Sequence, residues 1–135
     1  MADSPQIPFF SEGVAAGFPS PAVGELSGTL DLNSLCVKHP AATYFVRARG
    51  ESMAGAGIND GDILVVDRSV TVTNLAIIIA ALNGDFTVKR LIQEDGKVFL
   101  QPENDAYTPI EITPESGAEF FGVVTYVIKK MAHQG

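Results

Sequence analysis

With 135 residues the chain has the length of one domain; 46% hydrophobic residues suffice for a core, and 19% charged residues are too few for a chain disordered throughout. Its net charge of −7 lacks the basic footprint that a phosphate backbone requires, so direct tight binding to nucleic acid is not expected, whereas a basic protein partner stays open. A single cysteine, Cys36, excludes an intramolecular disulfide, and with no C-x-x-C pair no zinc site is expected.

The chain opens M-A-D-S-P-Q-I-P-F-F, with neither a basic n-region nor a long apolar core, so no secretory signal is read there. Residues 1–29 hold four prolines (Pro5, Pro8, Pro19, Pro21) and four glycines (Gly13, Gly17, Gly24, Gly28), a composition that opposes regular structure and predicts an extended arm. A second region, 30–135, is expected to form the folded domain. It begins with a short helix, capped by Asp31, running through Leu32 and Leu35 to about Lys38 and ended by Pro40. Cys36 on that helix reads as a small buried apolar residue.

From Thr43 onward the pattern is of strands. T-Y-F-V-R-A-R-G, D-I-L-V-V-D, L-A-I-I-I-A-A-L, D-F-T-V-K-R-L, K-V-F-L-Q and E-F-F-G-V-V-T-Y-V-I-K are short and rich in Val, Ile, Phe and Tyr. Turn signals separate them at Asn59-Asp60-Gly61, Asn83-Gly84-Asp85 and Glu94-Asp95-Gly96, and the last two predict a meander from Leu75 to Gln101. The longest apolar run, Leu75 to Leu82, is far short of the roughly 18 residues a bilayer span needs. It predicts a strand buried on both faces. Strands do not alternate with helices, which argues against a doubly wound fold.

Two segments offer chemistry. In D-F-T-V-K-R-L, strand alternation puts Thr87, Lys89 and Leu91 on one face and Phe86, Val88 and Arg90 on the other, so one of two adjacent cations must turn inward or lie at a rim. A lysine withdrawn from water loses preference for its charged form and can then take a proton from a hydroxyl. In R-G-E-S-M-A-G-A-G-I-N-D-G-D, four glycines surround Ser52, letting the backbone approach a substrate and aim N–H groups at a developing oxyanion. Taken singly, neither segment separates catalysis from a solvated lysine and a glycine-rich connection. A Ser-His-Asp triad would need His39 or His133, neither in a supporting motif. Asp60, Asp62 and Asp67 cluster in sequence but match no calcium loop.

Taken together, G-E-S-M-A-G-A-G-I-N-D-G-D-I-L-V-V-D, G-D-F-T-V-K-R-L, L-Q-P-E-N-D-A-Y-T-P-I and F-F-G-V-V resemble the self-cleaving domain of LexA-type repressors. Within that serine peptidase family the resemblance is to the UmuD-like SOS mutagenesis proteins, supported by G-F-P-S-P-A, D-L-N-S-L and H-P-A-A-T-Y-F-V. It spans Gly17 to Lys130. The resemblance implies a mainly β fold of the LexA and signal-peptidase kind, behind an extended arm and a short helix. It implies a serine–lysine dyad, with Ser52 as nucleophile and Lys89 as base, no cofactor, and autocleavage in V-A-A-G-F-P at Ala16-Gly17. The residue types there suit a scissile segment. Ala16 is small beside the carbonyl to be attacked, Gly17 permits a bend, and Pro19 and Pro21 limit the entropy lost on ordering.

The same resemblance implies a cytoplasmic protein of the SOS response. Its self-cleavage is stimulated by a RecA filament on single-stranded DNA, and its trimmed product, a homodimer, serves a Y-family DNA polymerase as accessory subunit. DNA then enters through these partners, in accord with the acidic charge. Two departures stand out. Members of this kind often carry Gly-Asp where this chain has Leu75-Ala76. No helix-turn-helix precedes the arm, so a complete operator-binding repressor is not expected. Three other readings remain at this point: a polymerase-binding scaffold with a vestigial dyad, a truncated phage or plasmid repressor, and a processing peptidase acting on other chains.

Overall fold

The computed structural model describes residues 5–11, 13 and 28–132. Ala16, Gly17 and His133 lie outside them. Contacts divide the chain into two compact units, Met1–Lys38 and His39–Gly135.

In the first unit, β1 (Ile7–Pro8) pairs antiparallel with β2 (Thr29–Leu30), an interaction between the ends of the expected arm that composition does not reveal. The helix α1 (Leu32–Cys36) follows. Asp31 caps it as expected: its carboxylate accepts from the Asn33 N–H at 3.0 Å and from the Ser34 hydroxyl at 3.2 Å. The helix stops two residues short of Lys38, because Val37 is already extended at φ −113 and ψ 93. Pro40 opens a 3-10 turn, Pro40–Ala42, rather than ending the helix directly. Cys36 is half-buried, not buried.

The second unit is built on one antiparallel sheet: β3 (Thr43–Arg47), β4 (Ile63–Asp67), β5 (Ile77–Leu82), β6 (Asp85–Glu94), β7 (Lys97–Gln101), β8 (Ile110–Ile112) and β9 (Glu119–Ile128). The spatial order is β3-β4-β9-β5-β6-β7-β8. The fold is therefore mainly β, as expected, and the meander β5-β6-β7 holds. Its two hairpins close through Asn83-Gly84 and Asp95-Gly96, where φ is 52 and 85, then 52 and 75. Positive φ at both central residues is what a two-residue turn needs to match strand twist.

Two features were not legible. β8 is three residues long and exists because Val98, Phe99 and Leu100 of β7 offer it a ladder. The last strand, β9, inserts between β4 and β5, a non-local pairing that no turn signal announces. β5 is buried on both faces. Ile79 joins the core of Ala48, Met53, Ile58, Leu64 and Val66, while Ile78 and Ala80 join that of Leu91, Leu100 and Val123. The run nevertheless enters the ladder only at Ile77. Leu75 sits before it at φ 75 and 56% exposed, in the left-handed region that suits glycine.

Candidate active site

Ser52 lies in the connection between β3 and β4, which is held at every step. Gly50 N–H donates to Asp60 Oδ1 at 2.7 Å, and the Glu51 carboxylate accepts from Asn59 and from the Asp60 N–H. Met53 is buried in the core and anchors the residue after the serine. On the outer side, Glu103 behaves as a neighbouring strand: its N–H donates to the Ser52 carbonyl at 2.8 Å and its carbonyl accepts from Gly55 N–H at 2.7 Å. Asn104 Nδ2 donates to the Glu51 carbonyl at 2.8 Å. A Cβ on Gly55 would stand 2.6 Å from the Glu103 carbonyl oxygen, so this close approach excludes any other residue without movement.

The glycine N–H groups do not converge on a common point. Those of Gly50, Gly55, Gly57 and Gly61 are each taken by an acceptor within the domain. Among the described residues, the N–H groups of Ser52 and Met53 have no such acceptor, and they belong to the two peptide bonds on either side of the Ser52 Cα.

Lys89 reaches this loop from β6. Its Nζ is 3.1 Å from Ser52 Oγ, 2.7 Å from Thr87 Oγ1 and 3.0 Å from the Val88 carbonyl oxygen. The predicted sharing of one strand face by Thr87 and Lys89 is thus realised as a hydrogen bond. Among the described residues no carboxylate pairs with Lys89. Burial pushes its pKa below the ordinary lysine value, because the charged form is poorly solvated there. A neutral amine has two N–H donors and one lone pair. The Val88 carbonyl can only accept and Thr87 Oγ1 is able to, which leaves the lone pair for the Ser52 hydroxyl.

The pair opens onto a cleft of about 270 Å³, lined on its apolar side by Val46, Ala48, Leu64, Ile79 and Val88. Phe86 stands at its rim and meets Phe121 edge to face, with centroids 5.0 Å apart. Such a hollow suits a small apolar side chain next to the serine.

The alternative site residues fall elsewhere. His39 Nδ1 is 2.6 Å from Asp67 Oδ2, and Asp67 Oδ1 accepts from both the N–H and the hydroxyl of Ser69. The carboxylate, not the imidazole, occupies the middle, so no imidazole faces the Ser69 hydroxyl and this is not a catalytic triad. The Ser69 hydroxyl and His39 hold the Asp67 pKa down at about 2. Asp60 and Asp62 serve local turns, Asp62 being buried and bonded to Lys129 at 2.5 Å. Among the described residues no group of acids, histidines or cysteines is arranged to hold a metal ion, and no helix is long and apolar enough to cross a membrane.

Sequence reasoning missed the part played by Glu103 and Asn104. The segment L-Q-P-E-N-D belongs to the resemblance, yet its backbone contacts with the Ser52 loop leave no trace in residue pattern.

Residues 8–125 match the family model described as Peptidase S24-like. Protein MucA of Escherichia coli is 45% identical over 121 residues, covering 89% of this chain and 82% of MucA. Protein ImpA of Shigella flexneri is 46% identical over 128 residues, covering 95% and 87%. A LexA repressor from Glaesserella parasuis is 36% identical over 120 residues, covering 88% of this chain and 57% of the repressor. The chain therefore belongs to the Peptidase S24-like family of LexA-type serine peptidases, among its UmuD-like SOS mutagenesis members.

Proposed function

We propose that the chain cuts itself once, between Ala16 and Gly17, with Ser52 as nucleophile and Lys89 as general base. The observation that carries this reading is the 3.1 Å approach of a desolvated lysine amine, unpaired with any described carboxylate, to the serine hydroxyl. In the first step Ser52 Oγ–H passes its proton to neutral Nζ as Oγ attacks the Ala16 carbonyl carbon. The N–H groups of Ser52 and Met53 are the donors available to the oxyanion. The Lys89 ammonium then protonates the departing Gly17 amine, leaving residue 16 acylated on Ser52. Water, deprotonated by Lys89, releases the ester and restores the serine. The cleft beside Val46, Leu64 and Ile79 takes the Ala16 methyl group.

On this reading residues 1–29 are the arm that carries the cleavage site, and residues 30–135 the peptidase-like domain. The protein acts in the cytoplasm. A RecA filament on single-stranded DNA stimulates cleavage, and the trimmed chain, as a homodimer, becomes an accessory subunit of a Y-family DNA polymerase. Family membership and the acidic charge, which leaves DNA contact to the partners, support this. The test is to incubate the purified chain with and without activated RecA filament and weigh the products. The expected result is a fragment beginning at Gly17, formed faster with the filament and lost in Ser52→Ala. An intact chain under both conditions would favour a non-catalytic scaffold, and a fragment starting elsewhere would remove the assigned bond.

A further inference from the structure

Lys89 and Arg90 are neighbours on β6, so their side chains leave opposite faces of the strand. Lys89 meets Ser52. Arg90 turns away, and its fork engages two acceptors: Nε donates to Glu103 Oε1, and Nη1 donates to the Leu75 carbonyl at 2.7 Å. The Arg90 and Glu103 side chains are only 26% and 27% exposed, which shields the pair from much of the screening that weakens surface ion pairs. Arg90 lies opposite Gln101 in the β6–β7 register, and the chain continues from Gln101 through buried Pro102 to Glu103. There the ladder to β6 has ended, and the backbone has joined the Ser52 loop instead.

The route from Lys89 to Ser52 therefore has four members: Lys89, the adjoining Arg90, Glu103 through its carboxylate, and Ser52 through the Glu103 backbone. The direct contact between Nζ and Oγ joins a long flexible side chain to a loop and cannot by itself set their separation. We propose that Arg90 and Glu103 form a positioning brace that fixes the Ser52 loop relative to the strand bearing Lys89. This rests on the self-cleavage reading above. Neither residue touches the reacting atoms. Their effect is on distance, and an error of about 1 Å between reacting groups costs up to roughly 100-fold in rate. Arginine suits the place because its planar fork holds the Glu103 carboxylate and the Leu75 carbonyl at once, which an ammonium does less well.

The experiment measures spontaneous cleavage of the full chain across alkaline pH, with thermal melts alongside, for Arg90→Met, Glu103→Gln and the double variant. Each single change should lower the plateau rate roughly 10- to 100-fold while the protein stays folded. The double variant should be no slower than the slower single, because both changes sever one link. Its pH midpoint should match the parent's, since removing both charges leaves the net charge near Lys89 unaltered. Should Arg90→Met unfold at the assay temperature, Arg90→Lys, which keeps the charge and loses the fork, must show the same slowing. Single variants that cleave within about twofold of the parent, or a double loss equal to the product of the single losses, overturn the brace. A parent that cleaves beside unaffected variants strikes only the brace; a parent that never cleaves overturns the self-cleavage reading and the brace with it.

Discussion

Two serines of the β domain sit beside charged groups, and their surroundings are opposites. At Ser69 the charge is satisfied. Asp67 receives two hydrogen bonds from Ser69 and one contact from His39, and its pKa falls to about 2, so it stays ionised and inert. At Ser52 the charge is left wanting. Lys89 has neutral oxygens around it and no described carboxylate, and its burial favours the uncharged amine. The two sites share residue types that a sequence scan would weigh alike. What separates them is whether the neighbours stabilise the ionised form of the titrating group or penalise it.

The sharpest way to break this comparison is to delete the reacting groups. Ser52→Ala and Lys89→Ala should each reduce self-cleavage by about a thousandfold or more, and the double variant should be no worse than either, because the proposed mechanism has both residues serve one proton transfer. Fragment mass spectrometry over time reads this out. Cleavage by Ser52→Ala at the parent rate would contradict a serine mechanism.

A smaller effect should appear in stability. Free lysine titrates at about 10.4. The folded pKa of Lys89 is lower, so between the two values the unfolded chain binds more protons and stability rises with pH. Below the folded pKa the lysine is charged in both states, and the cost of its burial is felt in full. Lys89→Met, similar in length and uncharged, should therefore melt a few degrees above Ser52→Ala at neutral pH. A solvated lysine would give no difference.

The contrasting site should respond at the other end of the scale. The Asp67 pKa is lowered to about 2 from an unfolded value of about 3.9, so its contribution is complete above roughly pH 4 and disappears as pH falls to about 2. Asp67→Asn should lose that part of the acid dependence and melt lower at neutral pH, while its alkaline self-cleavage stays within about twofold of the parent. An Asp67→Asn variant that folds normally yet fails to cleave would erase the division between the two sites.

The smallest expected change concerns Leu75. At φ 75 with its side chain 56% exposed, it bears backbone strain and buries little. Leu75→Gly should gain about 0.5–1 kcal/mol in denaturant unfolding, the relief of left-handed strain being partly offset by backbone entropy. A loss on that substitution would show that the leucine makes up for its backbone by packing.

Leu75 also marks how far the sequence could be read. The sequence departs from Gly-Asp at this point, and a turn forms there regardless, with its strain visible at Leu75. The hairpins at Asn83-Gly84 and Asp95-Gly96 were legible because turn chemistry is local. So was the Asp31 cap, whose partners are two and three residues away. The placing of β9 between β4 and β5 was not, since the pairs Val66 with Val124 and Ile78 with Val123 depend on the whole sheet assembling. At the candidate site, Ser52 and Lys89 came from a pattern of residues, and the structure brings them together. Glu103 did not, because it meets the Ser52 loop through its backbone, which every residue possesses.

The proposed self-cleavage by Ser52 and Lys89 turns on one property, a Lys89 amine that gives up its proton more readily than an ordinary lysine. It is measured most directly by following the Lys89 side-chain carbon and proton resonances of the uncleaved Ser52→Ala chain through an alkaline NMR titration. A lysine base predicts a midpoint clearly below the ordinary lysine value of about 10.4. A midpoint at or above that value, in a folded protein, would contradict it.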